Sequence, residues 1–392
     1  MKVLVTDGDT RPALAVTRAL GRLGHEVVVA AESHPTLASV SRYCAAQEIY
    51  PSLKTRSEEF AVSIAQIARR RAIDVVIPAT EITTLLLAER RDLLPANCTT
   101  PLPSTDAILA ANDKAHVIAL GRELGVPVPA TVLVESKRVV PDASMLGYPV
   151  VVKPSRSRVR TSTGWASTGV QYARDGMELA RMLDSLPDHA YPLLLQERII
   201  GAGVGVFLCF QHGKAVAMFS HRRLREKPPS GGVSVLCESV DLDSLAAAHA
   251  VRLLARLAWR GVAMVEFKRD ERDASLRLME INGRLWGSLQ LSINAGVNFP
   301  ALLLAVAKDE PIAPLTQYRV GVRTRWLAGD ADVLLMTMLR RHESTQPATV
   351  QGRWKAMREF MHFTGQDLHY EVEARGDWAP ARLEWRRRLL GA

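Results

Sequence analysis

Two apolar stretches separated by a charged, turn-prone segment stand out in the middle of the chain. Residues 263–268 and 276–282 are apolar runs broken by single polar residues, and the sequence ERDAS lies between them. Such a pair of runs predicts a β-hairpin. With the turn centred on Asp273, we expect Glu266 and Glu280 to lie directly opposite each other.

The alternation of side chains along a strand sorts this hairpin into two faces. Asn282 joins Glu280 on one face, because residues two apart on a strand point the same way. The other face is expected to carry four apolar side chains, Val265, Phe267, Met279 and Ile281.

The opposed glutamates suggest a cation site. Two carboxylates about 5 Å apart between Cβ atoms repel each other unless positive charge lies between them. Mg²⁺ takes carboxylate and amide oxygens and completes its coordination with nucleotide phosphates, which suits Glu266, Glu280 and Asn282. Arg284 then addresses an anion on the same side. The alternative is an exposed hairpin with two solvated glutamates, in which Asn-Gly is only a turn signal.

Residues 1–105 alternate between strand and helix patterns. The segments MKVLVTDG, HEVVVAAE and IDVVIPAT predict three strands; a helix capped by Thr10 follows the first, and another spans about residues 57–71. This order predicts a parallel, doubly wound layer. No GxGxxG sequence is present, which argues against a dinucleotide site. Glu81 directly follows the third strand. At this position it would either bind a ligand or cap a helix.

A second unit begins near Ser104. One helix is expected from there to Gly125, with Lys114 early in it, as a ligand-binding or a solvated lysine. The strand GYPVVVKPS then brings Lys153 to the edge of a cleft. Residues 155–170 predict a mobile loop that offers amides and cations to phosphate, or else a surface hairpin tip.

The following segment predicts two strands around a glycine-rich bend, PLLLQERIIGAGVGVFLCF, and then a turn at residues 212–213. In HRRLREKPPSGG, Arg223 and Arg225 can share one strand face and close over an anion, or form a solvated cluster. Helices are expected over residues 175–186 and 243–258 and after the glutamate hairpin. No chemistry is assigned to residues 311–392.

Composition narrows the class of protein. A chain of 392 residues with 47% apolar and 23% charged residues predicts two or three globular domains. Its apolar runs and N-terminus match neither a membrane span nor a signal peptide, so we expect a cytoplasmic protein without a membrane partner. Four scattered cysteines without CxxC argue against a zinc site or a disulfide framework.

The charge of the chain points to an anionic ligand. A formal net charge of +9 suits such a ligand without selecting nucleic acid over nucleotide. The arginine clusters are not interleaved with aromatic residues that stack on bases, so nucleic acid is not expected as a partner.

Taken in order, these motifs resemble the ATP-grasp superfamily. The resemblance rests on Lys114, Lys153, the flexible loop, QERII and the sequence VEFKRD...MEINGR, and it covers residues 1 to about 310. Within the superfamily the chain is similar to a branch related to carbamoyl-phosphate synthase large chains and carboxylate-amine ligases, in which sequences similar to HRRLREKPPSGGVSV occur.

The resemblance implies an α/β fold in which ATP is clamped between two domains. It implies a pre-ATP-grasp α/β domain with a doubly wound parallel sheet (1–105), a linker helix and small α+β lid domain (106–195), a large domain with the metal site (196–310), and a C-terminal extension (311–392).

The resemblance also implies roles for particular residues. Lys114 and Lys153 would touch the α- and β-phosphates of ATP, and the loop 155–169 would close over the triphosphate. The other residues implied to bind ATP are Ser155, Gln196, Glu197, Arg198 and Ile200. Those implied to hold Mg²⁺, or Mn²⁺ in its place, are Glu266, Glu280 and Asn282. The implied catalytic cations are Arg284, Arg223 and Arg225.

The expected reaction is an ATP-dependent carboxylate-amine ligation. A small carboxylate attacks the γ-phosphate, and an amine displaces phosphate from the acyl-phosphate. The alternatives are a bicarbonate-using carboxylase or carbamoyl-phosphate-type enzyme, and an inactive nucleotide-binding regulatory protein. The expected partners are small carboxylate and amine substrates, and a homodimer is left open. Two departures from the family are noted: residues 202–204 lack the acidic ribose contact, and the lid loop is rich in arginine and poor in glycine.

Overall fold

The computed structural model describes residues 1–138, 142–161, 164–228, 232–315, 317–339, 352–365 and 367–391. Residues 162–163 of the predicted lid loop, residues 229–231 of PPSGG and residues 340–351 lie outside the described residues.

The N-terminal domain is a parallel four-stranded sheet flanked by helices, as the alternating pattern predicts. The sheet order is β3-β2-β1-β4. Its strands are β1 (Lys2–Val5), β2 (Glu26–Ala31), β3 (Cys44–Ile49) and β4 (Val75–Ile77), and its helices are α1 (Arg11–Arg22), α2 (Phe60–Arg71) and α3 (Glu81–Glu89). The Thr10 hydroxyl caps α1 by accepting from the Ala13 amide. Strand β3 was not predicted, because its sequence CAAQEI has no strong apolar alternation.

The linker is broken into two helices, α4 (Thr105–Asn112) and α5 (Lys114–Glu123), where the sequence predicts one. The break lies at Asp113, which has an extended backbone and accepts hydrogen bonds from the Ala115 and His116 amides. The prediction of one helix is therefore wrong, because an aspartate N-cap outcompetes helix continuation at this position. As a result Lys114 is the first residue of α5.

The lid is a small antiparallel sheet of order β5-β10-β6-β9. Its strands are β5 (Thr131–Val134), β6 (Val150–Pro154), β9 (Gln171–Ala173) and β10 (Leu193–Gln196), and helix α6 (Gly176–Ser185) packs against it. The predicted mobile loop 155–170 contains a hairpin of its own, formed by β7 (Val159–Thr161) and β8 (Gly164–Ala166). We refer to β7 and β8 together as the lid hairpin.

The large domain is built on a seven-stranded sheet of order β15-β14-β11-β12-β13-β16-β17. Its strands are β11 (Gly203–Gln211), β12 (Lys214–Lys227), β13 (Val233–Ser239), β14 (Gly261–Arg269), β15 (Leu276–Asn282), β16 (Arg323–Arg325) and β17 (Leu368–Tyr370). Its helices are α7 (Ser244–Arg256), α8 (Leu289–Ala295), α9 (Phe299–Lys308), α10 (Leu327–Leu339), α11 (Arg353–Phe360) and α12 (Ala379–Leu390). The sheet therefore continues past residue 310.

The predicted glutamate hairpin is present, with Glu266 paired to Glu280. A β-bulge follows this pair, since Phe267 pairs with Leu278. The extra residue changes which apolar side chain reaches the core: Leu278 is fully buried, whereas Met279 is only half-buried. The expectation that Met279 shares the core face with Ile281 is therefore wrong.

The chain forms its core jointly between domains. Two large apolar clusters each combine residues of the N-terminal sheet with residues of the seven-stranded sheet, for example Val5 with Phe207 in one and Leu4 with Phe267 in the other. The N-terminal domain is thus fixed to the large domain by continuous burial of apolar surface.

No single helix among the described ranges is long and apolar enough to cross a membrane. Helices α8 and α9 reach that length and composition only as a pair, and they are bent by 94° relative to each other.

The C-terminal residues return to the N-terminal domain through a buried ion pair. Arg18 Nε donates to Asp377 Oδ2 at 2.7 Å, and both side chains are at most 2% exposed. Asp377 also accepts from the Ser41 hydroxyl and the Arg42 amide, so its carboxylate is saturated. This network ties α1 to the segment before α12.

We expect Asp377→Ala to lower the free energy of unfolding by about 3–5 kcal/mol, because it leaves the Arg18 guanidinium buried without its charge partner. Urea unfolding measures this change. Lys2→Ala is the control: it breaks the exposed 3.6 Å Lys2–Glu26 pair and should cost no more than about 1 kcal/mol. Equal effects of the two variants would contradict the prediction.

Candidate active site

The opposed glutamates of β14 and β15 form the centre of the site. The Glu280 carboxylate accepts from Asn282 Nδ2 at 3.0 Å and lies 3.4 Å from Lys114 Nζ. The Glu266 carboxylate accepts from Arg223 Nη2 at 2.6 Å. The structure thus brings together five residues that the sequence predicts for the site, from β12, α5 and the hairpin.

The two carboxylates differ in their electrostatic surroundings. Burial raises the pKa of Glu266 by more than Arg223 lowers it, and the neighbouring Glu280 adds to the rise. Burial also disfavours the charge on Glu280, but Lys114, the Asn282 hydrogen bond and Lys153 outweigh it and lower the pKa of Glu280. Of the two carboxylates, Glu280 is therefore the one whose surroundings favour the ionised form more strongly.

The two predicted lysines lie beside this pair for different reasons. Lys114 is held by the start of α5: its amide donates to the Ser155 carbonyl at 2.8 Å, and its Nζ donates to the Ser157 hydroxyl at 2.7 Å. Lys153 is only 5% exposed at the end of β6. Burial lowers the pKa of Lys153 to about 8, although Glu280 opposes this shift.

Ser155 joins the lid to the linker instead of standing free. Its hydroxyl donates to Asp113 and accepts from the Ala115 amide at 3.2 Å, and the residue is buried. The sequence marks Ser155 only as a neighbour of Lys153. Its pairing with Asp113 follows from the helix break, which the sequence analysis missed.

At the bend after β10, two predicted nucleotide-binding side chains support the lid instead of facing a ligand. Gln196 Nε2 donates to the Thr131 hydroxyl at 2.9 Å, and Glu197 accepts from the Ala130 amide at 2.8 Å and pairs with Arg272 at 2.9 Å. A contact of this segment with a base would therefore use its backbone, as the sequence analysis expects for most of it.

Arg198 and Ile200 stay on the more open side of the same bend. The Arg198 guanidinium lies 5.7 Å from the Tyr172 ring centroid, and Ile200 is 56% exposed. Gly201 follows at a φ of 147°, and a Cβ there would collide with the Arg269 carbonyl. The bend thus needs glycine to pass close to β14.

Lys268 is a site residue that the sequence analysis missed. Its Nζ donates to the Ile199 carbonyl at 3.2 Å, between the bend and the glutamate pair. Burial lowers its pKa, and so does the nearby Arg198. The signal was available, because Lys268 is two residues from Glu266 on the same strand and so shares its face.

The three predicted catalytic arginines are not equivalent. Arg284 donates to the Asn282 amide oxygen at 3.2 Å and to the Leu285 carbonyl at 2.9 Å, while Arg223 holds Glu266. Register breaks on both sides of Arg225 interrupt the alternation of β12, and its guanidinium binds Asp330 through two hydrogen bonds of 2.8 and 2.6 Å. The expectation that Arg223 and Arg225 share one face is wrong, because the bulged strand turns them to different carboxylates.

A cavity of about 810 Å³ adjoins the site. Its walls come from the N-terminal domain, the lid, the segment after β15 and the C-terminal residues. Glu81, Arg158, Arg284 and Trp326 line it together with several apolar side chains. Burial raises the pKa of Glu81, against the opposing effect of Arg284, Lys114 and Arg158. Glu81, which the sequence places at the end of a strand, is thus a carboxylate of the cavity wall. The helix cap of α3 is formed by its neighbour Thr80.

The donor set at the hairpin fits a hard divalent cation. Two carboxylates lie on opposed residues there, and the Asn282 amide adjoins Glu280, with its nitrogen donating to Glu280 and its oxygen accepting from Arg284. Carboxylate and amide oxygens are ligands of the kind that Mg²⁺ prefers. In the part of the chain that the structure describes, no three His, Cys, Asp or Glu residues form a metal cluster. The remaining coordination positions would therefore have to come from water or from a bound phosphate.

Comparison with known proteins agrees with this geometry. Residues 189–329 match the model of a family described as ATP-grasp in the biosynthetic pathway with Ter operon. No curated protein matches the chain.

Solved structures resemble the chain at low identity. An ADP complex of PurK, N5-carboxyaminoimidazole ribonucleotide synthetase, has a TM-score of 0.65 and 13% identity over 92% of this chain and 96% of the other. An L-amino acid ligase from Bacillus licheniformis has a TM-score of 0.59 and 17% identity over 79% and 75% of the two chains. The biotin carboxylase domain of the Hydrogenobacter thermophilus 2-oxoglutarate carboxylase has a TM-score of 0.62 and 19% identity over 82% and 73%.

The chain therefore has the ATP-grasp fold. The resemblance inferred from the lysines, the bend and the glutamate hairpin is confirmed at this level, as is the α/β class with an N-terminal parallel sheet.

We expect the wild type to gain stability relative to Lys153→Met as the pH rises from about 8 to about 10. The folded pKa of Lys153 is about 8 and the unfolded value is 10.5. Between them the unfolded chain binds more protons, so stability rises with pH by up to about 1.4 kcal/mol per pH unit. Urea unfolding of both proteins at pH 7 and pH 10 measures the difference between their free energies of unfolding. A difference between the two proteins that stays constant with pH would refute the assignment.

Proposed function

We propose that this protein is an ATP-dependent carboxylate-amine ligase that activates a small carboxylic acid as an acyl-phosphate and forms an amide, releasing ADP and phosphate. The observation that carries the proposal is the convergence of Glu266, Glu280, Asn282 and Lys114 beside Arg284, which bonds to Asn282 and lines the cavity. The ATP-grasp fold and its ligase relatives support it.

The nucleotide and metal are assigned to the residues whose chemistry fits them. Glu266, Glu280 and Asn282 would hold Mg²⁺, which supplies charge neutralisation to the phosphates when bound. Lys114 and Lys153 both act on Glu280, so their ammonium groups would bind phosphate oxygens beside it. The bend at residues 197–200 would bind the base through backbone groups.

The acid and the amine are assigned to the cavity. Arg284, fixed by two neutral oxygens, keeps its charge available to orient a carboxylate towards the terminal phosphate. Glu81 makes no side-chain hydrogen bond or ion pair to any described residue. Its raised pKa suits it to take the proton that an attacking amine must lose.

The size of the cavity favours an organic acid over bicarbonate. Relatives of this fold include a carboxylase domain in complex with bicarbonate, yet about 810 Å³ lined in part by apolar side chains far exceeds the needs of that anion. An inactive nucleotide-binding protein is less well supported, because such a protein has no need of an assembled set of lysines and carboxylates.

The deciding experiment measures ADP and phosphate release with Mg-ATP against a panel of carboxylic acids, each with and without amines or bicarbonate. Release that requires an acid and an amine, with an amide product by mass spectrometry, supports the ligase. Release with bicarbonate alone would favour the carboxylase, and nucleotide binding without turnover in any pairing would favour the regulatory protein.

We expect Glu280→Gln to reduce turnover at least about a hundredfold, because it removes one of the two carboxylates at the metal position. Circular dichroism should show an unchanged fold. Glu271→Gln is the matched control, since Glu271 is an exposed glutamate in the turn of the same hairpin, and it should retain activity. Full activity in Glu280→Gln would remove this residue from the metal site.

We expect Glu81→Gln to slow amide formation by about 10²–10⁴-fold while acid-dependent ADP release continues, because the acyl-phosphate would still form and then hydrolyse. The ratio of amide to ADP, followed by mass spectrometry and a coupled assay, should fall. Glu58→Gln, an exposed change in the same domain, should leave the ratio at its wild-type value. A Glu81→Gln variant with that ratio unchanged would exclude the proton-accepting role.

A further inference from the structure

Four of the charged side chains that line the cavity form ion pairs within the protein. Arg387 pairs with Asp9 at 2.6 Å, and Arg388 binds Asp332 at 2.8 Å. Arg11 pairs with Glu371 and lies 4.1 Å from the Trp326 ring centroid. These groups shape the wall formed with the C-terminal residues, but they leave little uncompensated charge for a ligand.

Two arginines of the cavity lack a carboxylate partner among the described residues. Arg284 is held only by the neutral oxygens of Asn282 and Leu285. Arg158 is exposed and makes no hydrogen bond or ion pair to the described part of the chain. Glu81 lies within the electrostatic reach of both.

The lid hairpin holds Arg158 over the cavity by docking on the N-terminal domain. Gly164 has a φ of 123° and lies so close to the Lys54 carbonyl that a Cβ would collide with it. Arg160 pairs with Glu89 of α3 at 2.9 Å. Trp165 packs against the apolar cluster that contains Leu4 of the N-terminal sheet. Arg158 directly precedes this anchored hairpin, so its position is set by the N-terminal domain as well as by the lid.

We propose that the acid substrate carries two anionic groups, one bound by Arg284 beside the metal position and the other bound by Arg158. This inference rests on the proposed function and specifies its substrate class. Three carboxylates of the cavity have no ion pair among the described residues: Asp7 and Glu384 accept hydrogen bonds from neutral donors, and Glu81 accepts none. A dianionic acid would give each of the two guanidinium groups an anionic partner, whereas a monocarboxylic acid would leave Arg158 uncompensated.

A binding experiment with a matched pair of probes tests the proposal. Succinate and butyrate have the same carbon chain and differ in one carboxylate. With a nonhydrolysable ATP analogue and Mg²⁺ present, calorimetry should show succinate binding at least about tenfold more tightly than butyrate, which is the effect of one charge-assisted contact. Equal affinities in the wild type would overturn the proposal.

Variants locate the source of that preference. Arg158→Ala should reduce the ratio of succinate to butyrate affinity to about one, both affinities being measured at a saturating concentration of the ATP analogue. Arg174→Ala removes an exposed arginine of the same lid that does not line the cavity, and it should keep the wild-type ratio. Retention of the ratio in Arg158→Ala would overturn the proposal.

The hairpin anchor gives a second measurement. Trp165→Ala removes packing against the N-terminal domain without touching a residue of the cavity wall, and it should lower the succinate preference several-fold. Arg158→Lys keeps the charge and should restore part of the preference lost in Arg158→Ala. A preference fully preserved when the anchor is removed would contradict the positioning of Arg158 by the hairpin.

The outcome is separable from that of the proposed function. If no acid and amine pair supports turnover but succinate binding depends on Arg158, the ligase fails and the dianion site stands. If turnover requires an acid and an amine but the Michaelis constants of dianionic and monoanionic acids respond equally to Arg158→Ala, the ligase stands and the dianion site fails.

Discussion

The site depends on one electrostatic constraint, the pairing of two glutamates across neighbouring strands. Opposed carboxylates are unfavourable unless cations surround them, and this chain supplies those cations from separate elements: Arg223 from β12, Lys114 from α5 and Lys153 from the lid. The demand for positive charge at one point therefore connects the lid, the linker and the large sheet. Removal of any one cation shifts the balance between the carboxylates.

The sequence predicts the parts that local periodicity controls. The glutamate pairing, the parallel N-terminal sheet, the Thr10 cap and the lysine at the end of β6 all follow from alternation and capping. The bulge at Met279 and the divided roles of Arg223 and Arg225 do not, because each is decided by a partner distant in the chain. The helix break at Asp113 depends on a local cap, which the apolar periodicity of the segment does not indicate. Lys268 could have been predicted as a site residue from the alternation of side chains along β14.

The C-terminal residues show how far such long-range partners reach. Their sequence carries no recognisable motif, yet Asp377 neutralises buried Arg18, and Trp326 accepts Arg11 over its ring and donates to Glu384. These residues form part of the wall of the cavity. The C-terminal residues contribute to the shape and the charge balance of the cavity. Neither property can be predicted from local sequence patterns.

The aspartate that ends α4 has a mechanical consequence. It connects α5, which packs on β15, to Ser155 of the lid, and Lys114 donates to Ser155 and Ser157 across the same junction. A rigid rotation of the lid away from the large sheet has to break these bonds together. The angle between the lid and the large sheet and the position of the Lys114 amino group are therefore coupled. The short carboxylate side chain of Asp113 sets both.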